Sequence, residues 1–208
     1  YVYNAQYRKV FNSSTFLEAK YMGWWGYYYL NPTTEQATHY DGETNAYWGG
    51  AGYNYLADRT RDQVNLAVSK YANAAGQHNF KFGMEIERST IRDRFQYSGV
   101  SSQAPTGVYF YDYGGPYLAY GYKYDLQGRT NRESFYVQDT WTHSRLTLNL
   151  GLRWDHQSDA ALAAVVPANP IAPQILPSVN FSGAEAGVTW NNISPRLEIG
   201  RASCRERV

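Results

Sequence analysis

At 208 residues, with 43% hydrophobic content and a formal net charge of +1, the chain has the bulk of one folded unit. It has no charge excess of the kind that draws nucleic acid. No apolar run reaches the roughly 18 residues of a membrane-crossing helix, whereas Tyr supplies 21 residues against 2 Met and 1 Cys. A ring with a polar tip suits β-structure with wet edges, interfacial girdles or a stacking surface.

Strand-like segments and turns alternate along the chain. Residues 1–10 read as a strand and Asn12-Ser13-Ser14 as a tight polar turn. Residues 15–30 read as a second strand dense in aromatics (Phe16, Tyr21, Trp24, Trp25, Tyr27, Tyr28, Tyr29). A polar loop to about residue 45 and a Gly/Tyr-rich stretch to residue 55 follow. In residues 59–71, Val64, Leu66 and Val68 alternate with Gln63, Asn65, Ala67 and Ser69. A short turn at 73–77 leads to 78–88, where Phe80, Phe82, Met84 and Ile86 alternate with Lys81, Gly83, Glu85 and Glu87.

A long irregular region, about 97–132, precedes the most regular part of the chain. Residues 135–141 form a strand, Thr142-His143-Ser144-Arg145 a minimal turn, and 146–155 a strand whose even positions are Leu146, Leu148, Leu150, Leu152 and Trp154. A second loop, 158–187, is rich in Ala and Pro, and a last strand begins near residue 188.

No helical period of useful length appears, so the chain reads as all-β. Successive side chains on a strand point to opposite faces. The apolar stripe from Leu146 to Trp154 covers nine residues, close to the roughly 9–11 that a tilted strand needs to cross a bilayer. Short connections at 12–14, 73–77 and 142–145 alternate with long ones at 31–57, 97–132 and 158–187. That is the layout of an antiparallel up-and-down meander in a partial transmembrane β-barrel, about seven strands of a larger barrel, with short turns toward the periplasm. Phe80, Phe82, Met84, Ile86, Leu146, Leu148, Leu150 and Leu152 are then expected to face lipid. Lys81, Glu85, Glu87, Asn149, Arg153 and Asp155 are expected to face the lumen.

The chemistry-bearing residues favour a wall over a catalyst. His39, His78, His143 and His156 are scattered without metal-ligand spacing, so no metal site and no cofactor is expected. Glu85 and Glu87 resemble lumen charges more than an acid/base pair. Asp41-Gly42-Glu43 resembles a turn and lacks the ligand ladder of a calcium loop. Gly49-Gly50-Ala51-Gly52 has no following helix and is no phosphate cradle. No catalytic residue is expected, and the chain does not read as an enzyme. Trp24, Trp25 and Tyr27, Tyr28, Tyr29 fit an interfacial girdle, with a sandwich core or a stacking platform as alternatives. Tyr109, Tyr111, Tyr113 and Tyr117 lie in a long loop, where binding function concentrates, and are the candidates for ligand contact.

Both ends carry signals of their own. The chain opens on Tyr1-Val2-Tyr3, patterned like the middle of a strand and without a signal peptide, so it is expected to start inside a longer protein. Residues 199–208 resemble the in-frame translation of a common sequencing-library adapter. Residues 1–198 are accordingly expected to be the barrel domain and 199–208 a non-native tail. That tail holds the only cysteine, Cys204, together with Arg201, Arg205, Arg207 and Glu206, so neither a disulfide nor a basic tail enters the reading.

Three segments, in order, resemble strands of TonB-dependent outer-membrane receptors of the Oar-like type. They are Gln77-His78-Asn79-Phe80-Lys81-Phe82-Gly83-Met84-Glu85; the pair Ser134-Phe135-Tyr136-Val137-Gln138-Asp139-Thr140-Trp141 and Arg145 to Asp155; and Asn191-Asn192-Ile193-Ser194-Pro195-Arg196-Leu197. The resemblance implies a 22-stranded barrel closed by an N-terminal plug, importing a large solute with energy passed on by TonB. The partners it implies are outer-membrane lipid, the TonB complex through a plug this chain does not show, and a saccharide, peptide or siderophore. Such a segment is not expected to transport anything by itself. Two rivals remain from the residues: a secreted all-β carbohydrate-binding module with Tyr/Trp platforms, and a β-rich hydrolase using Glu85/Glu87 or Asp139/Asp155. The first requires a second sheet packed over the Leu stripe.

Overall fold

The computed structural model describes residues 1–208 except 35, 51, 99–106, 113–114, 186–188 and 202–208, and the backbone alone at 107, 116, 117, 120 and 201. Its elements are β1 (Val2–Asn12), β2 (Thr15–Leu30), β3 (Thr38–Asp41), β4 (Ala46–Gly49), β5 (Tyr53–Asn73), β6 (Gln77–Tyr97), β7 (Gly107–Asp112), β8 (Gly115–Tyr120), β9 (Tyr124–His143), β10 (Leu146–Ala161), β11 (Ala164–Val166), β12 (Val179–Phe181), β13 (Ala184–Glu185) and β14 (Trp190–Arg201). The described residues contain no helix.

The main sheet is an antiparallel meander in the order β1-β2-β5-β6-β9-β10, with β14 and the short β13 both pairing the far edge of β10. It does not close on itself. The three turns at one end are as short as expected. Asn12 Oδ1 accepts from the Ser14 backbone N–H and hydroxyl at the first. Ala75 and Ser144, at φ 52° each, supply the left-handed residue at the other two. The long connections leave from the opposite end, the layout of an outer-membrane barrel.

Three strands are longer than the residue pattern suggests. β5 starts at Tyr53 rather than 59, β6 continues to Tyr97 rather than 88, and β9 starts at Tyr124 within the region expected to be irregular. In these extensions charged, amide and aromatic residues occupy both faces, so the apolar alternation fades while the backbone ladder continues. Cross-strand ion pairs hold them: Arg59–Asp93 at 3.0 Å, Arg92–Asp125 at 2.5 Å and Arg94–Asp58 at 3.6 Å.

Register sorts the wall into two chemically distinct faces, because directly paired residues share a side. One row joins Leu17, Val68, Phe82, Val137, Leu152 and Pro195; the next joins Ala19, Leu66, Met84, Phe135, Trp154 and Ile193. Phe80, Ile86, Leu146, Leu148 and Leu150 stand on this same face. The apolar band runs obliquely: on β6 it covers Phe80 to Ile86, on β10 Leu146 to Trp154, and on β14 Ile193 to Leu197. Its upper limit steps from Ile86 on β6 down to Phe135 on β9, where Glu133 replaces the apolar residue. A band level with a membrane must cut strands tilted by roughly 35–45° in this way. From the His78–Trp141 row to Arg88 is ten residues, about 33 Å along the strand and about 25 Å after tilt, the height of a barrel's lipid belt.

This face is uncovered. Phe82 is 50% exposed, Phe135 49% and Leu152 48%, and no second sheet packs over it among the described residues. The carbohydrate-binding module needed such a sheet.

The opposite face carries Lys81, Glu85, Glu87, Asn149, Arg153 and Asp155, knitted by charge. Glu87 accepts from Arg61 at 2.5 Å and from Arg132 at 2.8 Å. Arg153 donates to Glu85 at 2.7 Å and to Asp155 at 2.9 Å, and the buried Ser134 hydroxyl also donates to Asp155. Each carboxylate thus has a guanidinium partner, which fits wall charges and leaves neither Glu85 nor Glu87 free as an acid or base. Tyr136 lies over Gly83, where an added Cβ would come within 2.3 Å of its ring, a cross-strand ring filling a glycine gap. The Asp139/Asp155 pair of the hydrolase reading is ruled out by register. Asp139 pairs with Leu150 on the apolar face and contacts His78 Nδ1 at 2.6 Å, while Asp155 stands on the other face.

Candidate functional site

The connections β2–β5 and β6–β9 emerge at the same end and build a second sheet in the order β4-β3-β7-β8, with β3 and β7 parallel. Its core is polar. Thr38 and Ser98, 3% and 1% exposed, share a hydrogen bond of 3.0 Å. The Thr38 hydroxyl also donates to the Gly50 carbonyl and accepts from the Gly52 N–H. Gly50 has no substitute: a Cβ there would come within 1.9 Å of the Gln36 carbonyl oxygen.

The β3–β4 turn is organised by Asp41, whose Oδ1 accepts from the Glu43 N–H at 2.8 Å and the Thr44 N–H at 3.1 Å. The backbone and hydroxyl donors of Thr44, followed by the Glu43 amide, hold this carboxyl below its usual range.

On this sheet the rings gather into one stack. His39 lies centrally, 5.3 Å from Trp48, 4.8 Å from Tyr109 and 5.8 Å from Tyr111 between ring centroids, all within 21° of parallel. Trp48 and Tyr111 are 5.1 Å apart, and His39 Nδ1 shares a hydrogen bond of 2.7 Å with the Tyr111 hydroxyl. A stack consumes the inner faces of its rings. Trp48 sits on β4, the edge strand, and is 47% exposed, so part of its ring surface stays open.

Of the four tyrosines expected to contact ligand, Tyr109 and Tyr111 belong to this stack. Tyr117 is the register partner of Phe110, not of Tyr109 or Tyr111. Tyr113 lies outside the described residues. His39 and Trp48 were missed by sequence reasoning. The signal for them was present: His39-Tyr40 and Tyr47-Trp48 are placed symmetrically about the Asp41 turn, as in a hairpin. The aromatic cluster of β2 divides between the faces: Trp25, Tyr27 and Tyr29 stand on the side of the apolar band, Trp24 and Tyr28 on the other.

Residues 2–199 match the outer membrane beta barrel domain. The TonB-dependent transporter Oar of Myxococcus xanthus is 29% identical over 136 residues, covering 53% of this chain and 12% of that protein. The crystal structure of the ferric citrate transporter FecA in the unliganded form superposes with a TM-score of 0.55 at 15% identity, over 98% of this chain and 25% of FecA. The latter is a likeness of fold, and the chain spans a small part of both proteins. With 2–199 matched and the two-faced meander in place, the chain belongs to the outer membrane beta barrel domain family, whose site of action is the bacterial outer membrane.

Proposed function

We propose that this chain is a stretch of wall from a TonB-dependent receptor that imports a large solute through the outer membrane. In this reading residues 1–198 are barrel and 199–208 a non-native tail. The observation that carries the proposal is the opposition of faces: an uncovered oblique apolar band on one side and an ion-paired network on the other. Phe80, Phe82, Met84, Ile86, Leu146, Leu148, Leu150 and Leu152 meet lipid; Lys81, Glu85, Glu87, Asn149, Arg153 and Asp155 meet the lumen and its plug. The described sheet leaves the outer edges of β1 and β14 unpaired, which hydrocarbon does not tolerate, so transport belongs to the complete barrel with its plug and TonB. The chain performs no chemistry and holds no cofactor.

The loop sheet is the solute-contacting part, through the Trp48–His39–Tyr109–Tyr111 stack, and a saccharide, a peptide or a siderophore could each be the cargo. The test uses the receptor bearing this wall, expressed in a Gram-negative host and offered the three solute classes in turn. Uptake of one class should require TonB and fall about tenfold in Trp48→Ala, one base- or sugar-sized stacking contact. TonB-independent uptake, or uptake indifferent to Trp48, would overturn the reading.

A further inference from the structure

The loop sheet ends on two edge strands, β4 and β8. Proteins blunt exposed edges with proline or charge, because unpaired N–H and C=O groups invite a further strand. β8 contains Pro116, which has no N–H to offer. β4, Ala46-Tyr47-Trp48-Gly49, has neither proline nor charge, and all four of its residues are exposed. Nothing pairs its outer edge among the described residues.

The ladder fixes which backbone groups look outward. The Gly50 N–H donates to the Ala37 carbonyl across the hairpin, and bonded pairs alternate with non-bonded ones along an antiparallel ladder. Trp48 and Ala46 therefore bond inward to their register partners His39 and Asp41. The parallel side agrees: the Gly42 N–H donates to the Tyr111 carbonyl, so the even residues of β3 bond toward β7 and the odd ones toward β4. Tyr47 is thus left with its N–H and C=O pointing away from the sheet.

The side chains of this edge present a ring on each face. Trp48 lies against His39 on one, while Tyr47, 70% exposed, lies 4.6 Å from Tyr40 between centroids on the other. Charge selects what fits here. Residues 38–49 and 107–120, the strands and turns of the loop sheet, carry Asp41, Glu43 and Asp112 and no lysine or arginine.

We propose that β4 takes an extended basic peptide as a fifth strand of the loop sheet. Main-chain hydrogen bonds join it to Tyr47, and its alternate side chains rest on Trp48 and on Tyr47. Matching the four residues of β4 uses about 13 Å of peptide. Peptide as cargo rests on the loop sheet being the solute-contacting part.

The test uses the receptor bearing this wall, purified in detergent, and a fluorescein-labelled hexapeptide of alternating lysine and valine, read by fluorescence anisotropy. N-methylation of every valine, or of every lysine, removes the amide donors along one edge of the peptide only. One methylated peptide should bind about thirtyfold more weakly than the parent and the other within about threefold. Glutamate in place of lysine should weaken binding about tenfold. Tyr47→Pro, which removes the outward N–H and keeps the inward ladder, should bind about tenfold more weakly than Tyr47→Ala. Equal affinity of the two methylated peptides overturns strand addition, and a glutamate peptide binding as tightly as the lysine one overturns the charge preference. Uptake separates the two levels. TonB- and Trp48-dependent uptake of a saccharide or siderophore, with no hexapeptide bound, rejects the peptide alone; uptake of every class indifferent to Trp48 rejects the solute-contacting role itself.

Discussion

Replacing Leu152 by arginine places a guanidinium where the wall offers it nothing. Leu152 is flanked in register by Val137 and Pro195 and lies six residues along β10 from Leu146. That is about 20 Å along the strand and about 15 Å after tilt, within a few ångströms of the middle of a belt about 25 Å tall. Because Leu152 is half exposed on the uncovered face, little packing is lost, and the cost is that of moving a charge into hydrocarbon. For arginine near the midplane this is about 2–4 kcal/mol, a drop of roughly 30- to 900-fold in the folding equilibrium. Asn149→Arg, three residues away on the other face, meets Thr140 and Glu198 and should change stability by less than about 0.5 kcal/mol. The assay is urea-induced unfolding from lipid vesicles of the receptor bearing this wall, followed by tryptophan fluorescence. Equal penalties at the two positions, or the larger one at Asn149, would refute the facing assignment.

Two further perturbations probe the wall and the loop sheet. Gly83→Ala drives a methyl into the Tyr136 ring and should destabilise by about 1–3 kcal/mol; Tyr136→Ala in the same chain should recover most of that loss, visible as a large coupling in a double-mutant cycle of urea midpoints. Asp41 has a folded-state pKa below its unfolded one, so its contribution is present above the unfolded value of about 3.9 and lost as pH falls through the folded value. Amide exchange at Glu43 and Thr44 should therefore stay protected down to about pH 4 and open below it, and Asp41→Ala should remove the pH dependence; protection unchanged at lower pH would contradict this role.

How legible each part was follows from what each pattern encodes. The strands between Val64 and Ile86 and between Phe135 and Trp154 were plain because an apolar residue at every second position is a strong period. The extension of β9 back to Tyr124 was hidden. Beyond the membrane both faces of a barrel strand meet polar surroundings, so the alternation that marks a strand disappears while its hydrogen bonds continue. Tyr109 and Tyr111 were found by their place in a long loop, but loop composition says nothing of which rings share a side.

By itself, the sequence determined the all-β meander, its turn ends and the two-sided wall, since alternation and turn chemistry act over a few neighbouring residues. Only the tertiary structure decided the partners across long separations. It set Asp139 and Asp155 on opposite faces, gave Glu87 two arginines, and joined His39 to Tyr109 through parallel pairing of two loops 72 residues apart at His39 and Tyr111. Register is a property of two strands together, and a one-residue slip would move every one of these side chains to the other face.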